Sequence, residues 1–216
     1  MIPEEGLLLL IDKPADFTSH DVVNVIRKKF NTRRVGHGGT LDPFATGLLI
    51  VGVGRATKKL TNIVGLDKTY EATAQLGATT DTYDLTGSII PSSEFPVPSS
   101  DDIENAMKNF RGTIEQKAPA FSAKKVKGQK LYALARRGED VEHLRPTKKV
   151  DVTELEILDY NFPTLKFRVT CSSGTYIRSL AHDIGQDLGC GAYLTELRRT
   201  RIGEYKLEDA KKLEEI

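Results

Sequence analysis

The sequence predicts an α+β fold. Runs with apolar residues at every second position are mixed with segments whose apolar residues recur every three or four positions, and the two kinds follow no regular strand–helix–strand rhythm. Two alternating runs, VDVTELEILDY (150–160) and TLKFRVTCSS (164–173), are separated only by Asn161, Phe162 and Pro163, which predicts a hairpin.

The elements follow in order. Residues 7–12 are an apolar run that predicts a buried strand. In DKPADFTSHDVVNVIRKKF a turn leads into a helix capped by Thr18 or Ser19, with Val22, Val23, Ile26 and Phe30 on one face and Lys28 and Lys29 at the negative end of its dipole. LLIVGVG (48–54) predicts a second strand, and Tyr70, Ala72, Ala74 and Leu76 alternate with polar residues as in a half-buried third. PSSEFPVPSS (91–100) is a surface loop. Ser100 starts a helix carrying Ile103, Ala106, Met107 and Phe110, closed by Gly112, and KLYALARRG (130–138) has helical spacing ending on glycine. After the hairpin, TYIRSLAHDIGQDLG predicts a helix burying Ile177, Leu180, Ala181, Ile184 and Leu188 and stopped by Gly189.

A chain of 216 residues with 39% apolar and 28% charged side chains can bury a core, which excludes a disordered tail and suits one large domain or a domain with an insertion. The two cysteines, Cys171 and Cys190, have no framework spacing, which favours a reducing cytosol. The first apolar run is too short to span a membrane, and its acidic flank does not fit a signal peptide. A formal net charge of +1 hides an uneven distribution: residues 111–149 hold 11 basic and 4 acidic side chains, a net +7. Such a block is either a polyanion footprint or a solvated loop.

Three motifs lead nowhere. GVGRAT (52–57) is similar to a dinucleotide fingerprint, but its third glycine position is Thr57 and no helical pattern follows. HGG (37–39) has no nucleophile elbow to serve, and the consecutive Ser19, His20 and Asp21 are not a triad, whose members meet in space. His20 and His182 lack metal-ligand spacing and read as surface or interface residues.

The chemistry concentrates in VGHGGTLDPFATG (35–47), where Asp42 stands among four glycines. Asp-Pro starts turns, and glycines supply unusual dihedrals, so a plain surface turn explains the stretch. The same glycines would also let a bulky ligand approach His37 and Asp42. Read alone, the stretch favours the turn.

The wider motif, GHGGTLDPFATGLLIVGVGRATK, resembles the signature of the TruB family of tRNA pseudouridine synthases, close to GH-x-G-x-LDP-x-A-x-GLL. DKPADFTS is similar to the family's KP-x-x-x-TS opening, and DKTYEATAQLGATTDTYDLTG to its K-x-Y and TDT-x-D-x-x-G segments. APAFSAKKVKGQKLYALARRGE resembles P-x-x-SA-x-K followed by LY-x-x-AR-x-G. CSSGTYIRSLAHDIGQDLGCGAYLTELRRTRIGEY resembles GTYIRSLA-x-D-x-G followed by L-x-R-x-x-x-G. Five blocks in the right order span nearly the whole chain.

The resemblance implies a pseudouridine synthase fold: a central mixed, mainly antiparallel sheet flanked by helices, with an RNA-gripping insertion at about 111–149. It implies one catalytic domain over 1–216 without a C-terminal PUA domain, and hence weaker tRNA affinity with the same site choice. It makes Asp42 the catalytic carboxylate, Tyr70 the ring that stacks on the target base and assists proton transfer at C5, and Arg178 the guanidinium paired with Asp42. His37 is associated with the opened T-loop, Lys13 of the opening motif is counted with it among the RNA-binding residues, and Lys124, Lys130, Arg136 and Arg137 are the insertion's candidates for RNA contact. The implied reaction isomerises the T-loop uridine at conventional position 55: the N1–C1′ bond breaks, the base turns and rejoins through C5. Asp42 would attack C1′ or take a 2′ proton. No redox change occurs, so no cofactor and no metal are expected. The expected partner is the tRNA T-loop stem-loop, met by a cytoplasmic monomer without a membrane. A guide-RNA-dependent synthase subunit and a non-catalytic tRNA-folding chaperone are the alternatives. The chain departs from the family pattern at Gly38, where threonine is usual and a more flexible loop would follow, and at Asp16, Phe121 and Lys148–Lys149.

Overall fold

A computed structural model describes residues 2–122, 124–126 and 128–216. Lys127 of the basic block therefore lies outside the described residues. In chain order the strands and helices are β1 (Leu7–Lys13), α1 (Ser19–Lys29), β2 (Val35–His37), β3 (Thr46–Val53), α2 (Leu60–Val64), β4 (Lys68–Leu76), β5 (Ala78–Thr80), β6 (Ile89–Pro91), α3 (Ser100–Lys108), β7 (Gly112–Lys117), β8 (Lys125–Val126), β9 (Gln129–Lys130), α4 (Leu131–Arg136), β10 (Thr147–Asn161), β11 (Thr164–Cys171), α5 (Ile177–Asp187), β12 (Ala192–Ile202), β13 (Tyr205–Lys206) and β14 (Lys211–Lys212). The fold is α+β. Among the described residues, no helix is long and apolar enough to cross a membrane.

The chain forms two compact units, residues 1–71 with 196–216, and residues 72–195, so that β4 and β12 each contribute to both. In the first unit the strands run in the order β14, β1, β3, β12, with β2 paired to β3 and β13 to β12. β1 pairs antiparallel with β3 from Leu7↔Val53 to Lys13↔Gly47, whereas β3 and β12 are parallel at Arg198↔Thr46 and Arg199↔Gly47. Successive side chains of β3 point to opposite faces, and both faces are covered. Leu49, Val51 and Val53 pack with Ile11, Val22, Val23, Ile26 and Val35, while Leu48 and Ile50 pack with Leu60, Ile63 and Ile202. That is why this strand reads as an unbroken apolar run. Each such aliphatic side chain stabilises the fold by about 1.5–3 kcal/mol through burial.

Thr18, not Ser19, caps α1: its hydroxyl accepts from the Asp21 amide, and the Asp21 carboxylate accepts from the Thr18 amide. The helix stops at Lys29, leaving Phe30 as its cap residue. Contrary to the sequence reading, helix does follow GVGRAT: a 3₁₀ turn over Gly54–Lys59 runs into α2. Only Ala56, Leu60 and Ile63 are buried across the two, too few turns for a periodic pattern to register.

The second unit is built on the hairpin that the sequence predicts, β10 with β11, and β7 pairs antiparallel with the first half of β10. Val150, Val152, Leu155, Leu165, Phe167 and Val169 are buried in it. α3 packs on β10 and α5, and α5 packs on β7. α3 ends at Lys108, before the predicted Phe110, and carries a capping box from Ser99 to Asp102. The basic block does not begin as an insertion, because β7 is a sheet strand. Between β7 and β10, the β8–β9 ribbon and α4 surround a small core of Leu131, Leu134 and Val141.

Candidate active site

Asp42 sits in the loop joining β2 to β3, and three buried polar side chains from three elements hold that loop by its main chain. The Ser19 hydroxyl, at the start of α1, accepts from the Leu41 amide at 2.9 Å and donates to the Leu41 carbonyl at 3.2 Å. Lys13, at the end of β1, is 0% exposed and donates to the carbonyls of Pro14 (2.7 Å), Phe17 (2.7 Å) and Pro43 (3.1 Å). Arg199, on β12, is 1% exposed and donates from Nε to the Leu48 carbonyl at 2.8 Å and from its two terminal nitrogens to Thr40 (3.4 Å) and Gly39 (3.2 Å). Within the loop, the Ala45 amide closes a turn on the Asp42 carbonyl at 3.1 Å. The chain can enter β3 only through a glycine here: Gly47 has φ +101°, and a Cβ there would lie 2.3 Å from the Arg199 carbonyl.

Lys13 was expected at the RNA edge, but the structure seals its ammonium inside the protein as an anchor for the residues on either side of Asp42. Burial lowers its pKa to about 8, with Asp16 and Asp42 opposing the shift. The sign of the resulting pH dependence is opposite to that of a lysine that gains an acidic partner. Between about pH 8 and the 10.5 of an ordinary lysine, the unfolded chain keeps this proton while the folded protein has released it. Stability relative to Lys13→Met is therefore expected to rise with pH across that window, by up to about 1.4 kcal/mol per pH unit. Urea unfolding of the two proteins at intervals from pH 7 to 10.5 measures the difference. A flat difference would show that the amine titrates normally, and a falling one that its pKa is raised in the folded protein.

His37 ends β2, and its imidazole pKa is lowered chiefly by burial, with a backbone hydrogen bond at Gly39 opposing and Arg199 assisting. At neutral pH the ring is uncharged, and its Nδ1 is buried without a hydrogen-bond partner among the described residues. Gly38 is not a loose point. It is buried, its amide donates to the Ile50 carbonyl at 2.8 Å, and Ile63 fills the space a side chain would need: a Cβ on Gly38 would lie 2.8 Å from it. Tyr70 lies on β4 on the buried face shared with Ala72, Ala74 and Leu76, and is 8% exposed.

Arg178 belongs to the second unit, in the first turn of α5, and is 4% exposed. Its guanidinium donates to the carbonyls of Thr82 (2.7 Å) and Phe121 (3.0 Å) and lies 3.3 Å from the Asp84 carboxylate, a buried ion pair. The other Asp84 oxygen accepts from the Thr82 hydroxyl (2.8 Å), the Thr86 amide (2.9 Å) and the Thr86 hydroxyl (2.5 Å). Held by these donors, the carboxylate fixes the plane of the arginine's fork. His182, one turn along α5 from Arg178 and read from the sequence as a surface or interface residue, is half-buried, with its ring stacked on Tyr83 at 3.8 Å and 13°.

The candidates of the basic block divide. Lys124, Lys130, Arg136 and Arg137 are all exposed. Lys130 and Arg136 lie over the Tyr132 ring at 5.4 and 5.5 Å, which leaves their charges towards solvent, whereas Arg137 bonds Glu139 and Gln129, both at 2.8 Å. Lys117 and Arg145 share Glu142. The block's net charge thus overstates its unpaired charge.

The sequence alone assigns no site role to Ser19, Arg199 or Asp84. Arg199 is the arginine of L-x-R-x-x-x-G and Asp84 the second aspartate of TDT-x-D-x-x-G, so their motifs are visible and their tasks are not. Among the described residues, no group of His, Cys, Asp and Glu is placed to hold a metal ion.

The chain is similar to known proteins over nearly its whole length. A family model described as "TruB family pseudouridylate synthase (N terminal domain)" matches residues 27–177, and one described as "tRNA pseudouridylate synthase B C-terminal domain" matches 178–216. A protein named tRNA pseudouridine synthase B from Chlamydia pneumoniae is 45% identical over 95% of this chain and 86% of its own length. Its namesake from Opitutus terrae is 45% identical over 97% and 86%. A solved Cbf5–Nop10–Gar1 complex contains a chain similar at a TM-score of 0.73 and 34% identity over 98% of this chain, which spans 53% of that one.

Proposed function

The chain belongs to the TruB family of pseudouridylate synthases, and from that premise we propose that it isomerises the T-loop uridine at conventional position 55 of tRNA, with Asp42 as the catalytic carboxylate. It is a tRNA pseudouridine synthase. The N1–C1′ bond of the target nucleotide breaks, the uracil turns, a C5–C1′ bond forms, C5 loses a proton and N1 gains one, so the reaction is an isomerisation that neither consumes nor produces electrons. Asp42 either attacks C1′ or removes the 2′ proton. Tyr70 stacks on the base once it has left its helix, where a ring offsets about 1–3 kcal/mol of the unstacking. Arg178 supplies a fixed positive charge, His37 meets the opened T-loop as a neutral ring, and Lys124, Lys130, Arg136 and Arg137 hold phosphates of the stem. Lys13 acts one step back, through the loop that it anchors. In this reading residues 1–216 work as one catalytic domain, a cytoplasmic monomer with 111–149 as its RNA-gripping segment.

The observation that carries the reading is that the family match extends over nearly all of the chain, while Asp42 stands in a loop held by three buried side chains that bond only main chain. Such a loop places its one carboxylate with the precision that catalysis needs. Incubating the protein alone with an unmodified tRNA transcript, followed by chemical adduct formation and primer extension, is expected to give one stop at position 55. The likeness to the Cbf5-containing complex favours a second reading, a guide-dependent subunit, and product only after addition of a guide RNA would establish it. Faster tRNA folding without product would instead mark a chaperone.

A further inference from the structure

We propose that Tyr83 and His182 are positioning residues for Arg178: their stacked rings fasten the Thr82–Asp84 segment to α5, so that the carbonyl and carboxylate holding the guanidinium stay in place. This rests on the role proposed for Arg178 and adds the device that aims it.

Two ties join the same two segments. One is polar, from Arg178 to the Thr82 carbonyl at 2.7 Å and the Asp84 carboxylate at 3.3 Å. The other is the ring pair, Tyr83 on His182, with centroids 3.8 Å apart and planes within 13°. Arg178 and His182 are four residues apart on α5 and therefore neighbours on one side of the helix. Tyr83 is the residue between the two acceptors. One contact at Tyr83 therefore sets both of them.

The backbone needs such a contact. Tyr83 has φ +64°, in the left-handed region that few aromatic residues adopt. Left to itself this residue relaxes to an extended conformation, which would separate the Thr82 carbonyl from the Asp84 carboxylate. Two hydrogen bonds hold the strained residue on its main chain, Tyr83 amide to Thr80 carbonyl at 3.2 Å and Leu194 amide to Tyr83 carbonyl at 3.1 Å, and the stack holds its side chain. Arg145 lies over the same ring at 5.7 Å while bonding the Ala118 carbonyl at 2.7 Å. Burial lowers the His182 pKa, and Arg145 adds to the shift, so the stacking partner is a neutral ring. Its Nδ1 has no hydrogen-bond partner among the described residues.

The test compares Tyr83→Leu, His182→Leu, the double variant, and His182→Phe and Tyr83→Phe, which keep a ring. Each leucine variant is expected to lower kcat by about 10–100-fold with KM for tRNA within about threefold, since a misaimed catalytic group weakens the reaction step more than binding. The double variant should be no worse than either single, because each removes the same contact. Both phenylalanine variants should restore kcat to within about threefold of the parent. A second readout does not need activity: the guanidinium NMR signal of Arg178 should be sharp in the parent and the phenylalanine variants and broadened or exchanging in the leucine variants. Leucine variants with parental kcat and an unmoved Arg178 signal would overturn the proposal, as would His182→Phe as poor as His182→Leu, which would assign the imidazole a chemical role. A parent that makes no pseudouridine but whose Arg178 signal responds to the stack would instead overturn the proposed function and leave the positioning device standing.

Discussion

Asp42→Asn is expected to lower pseudouridine formation by at least about 10⁴-fold, while binding of unmodified tRNA stays within about threefold of the parent. The argument separates the loop from the group that it presents. Lys13, Ser19 and Arg199 all bond main-chain atoms of the loop, and the Ala45 amide bonds the main-chain carbonyl of Asp42. These anchors persist in the variant, and an amide has nearly the shape of a carboxylate. What asparagine lacks is the negative charge and the basicity. It can neither attack C1′ nor accept the 2′ proton, so both chemical routes stop at the same substitution. Asp42→Glu tests position in place of charge: one added methylene moves the carboxylate by about an ångström, for which a loss of about 100-fold is expected. Single-turnover assays with mapped product, alongside a filter-binding titration, measure both quantities. Product from Asp42→Asn at the parental rate would remove Asp42 from the reaction, and lost tRNA binding would make it a recognition residue.

Most of the regular structure is legible in the sequence where apolar periodicity is unbroken. β1, β3, the β10–β11 hairpin, α1, α3 and α5 all follow from it, with ends displaced by a residue or two. β12 was not legible, for a physical reason. Its buried positions include Leu194, Leu197, Arg199 and Ile202, so the alternation slips twice, and one inward position is filled by a charged residue. Arg199 looks like a surface residue in sequence because nothing there shows that three main-chain carbonyls, of Gly39, Thr40 and Leu48, await it. The same applies to Lys13, which the motif match counts among the RNA-binding residues and which the structure places at 0% exposure. A side chain that satisfies main-chain carbonyls leaves no mark in a pattern of side chains. Asp42, Tyr70 and Arg178 were found through motif order, since composition alone left Asp42 in an ordinary turn. Their anchors became visible only with coordinates.

Asp84→Ala is expected to destabilise the protein by about 3–5 kcal/mol, because it removes a carboxylate paired with the buried Arg178 guanidinium. In a chain of this size that lowers Tm by roughly 10 °C. The pair's side chains are 5% and 6% exposed, so solvent screens neither charge. Activity should fall too, since the guanidinium loses the carboxylate that fixes its fork in plane. Asp84→Asn keeps the shape and an oxygen for the Thr86 donors while removing the charge, and its loss of stability should be smaller. The decisive variant is Asp84→Leu with Arg178→Met. Removing both charges takes away the desolvation penalty along with the attraction, so the double variant should be more stable than either single and inactive. Thermal melts and the tRNA assay on the four proteins separate the two effects. A double variant as unstable as the singles would make the pair structural, and an active one would exclude Arg178 from the reaction. Recovered stability without recovered activity would show that this buried pair is kept for the aim it gives Arg178, since the fold is as well served without it.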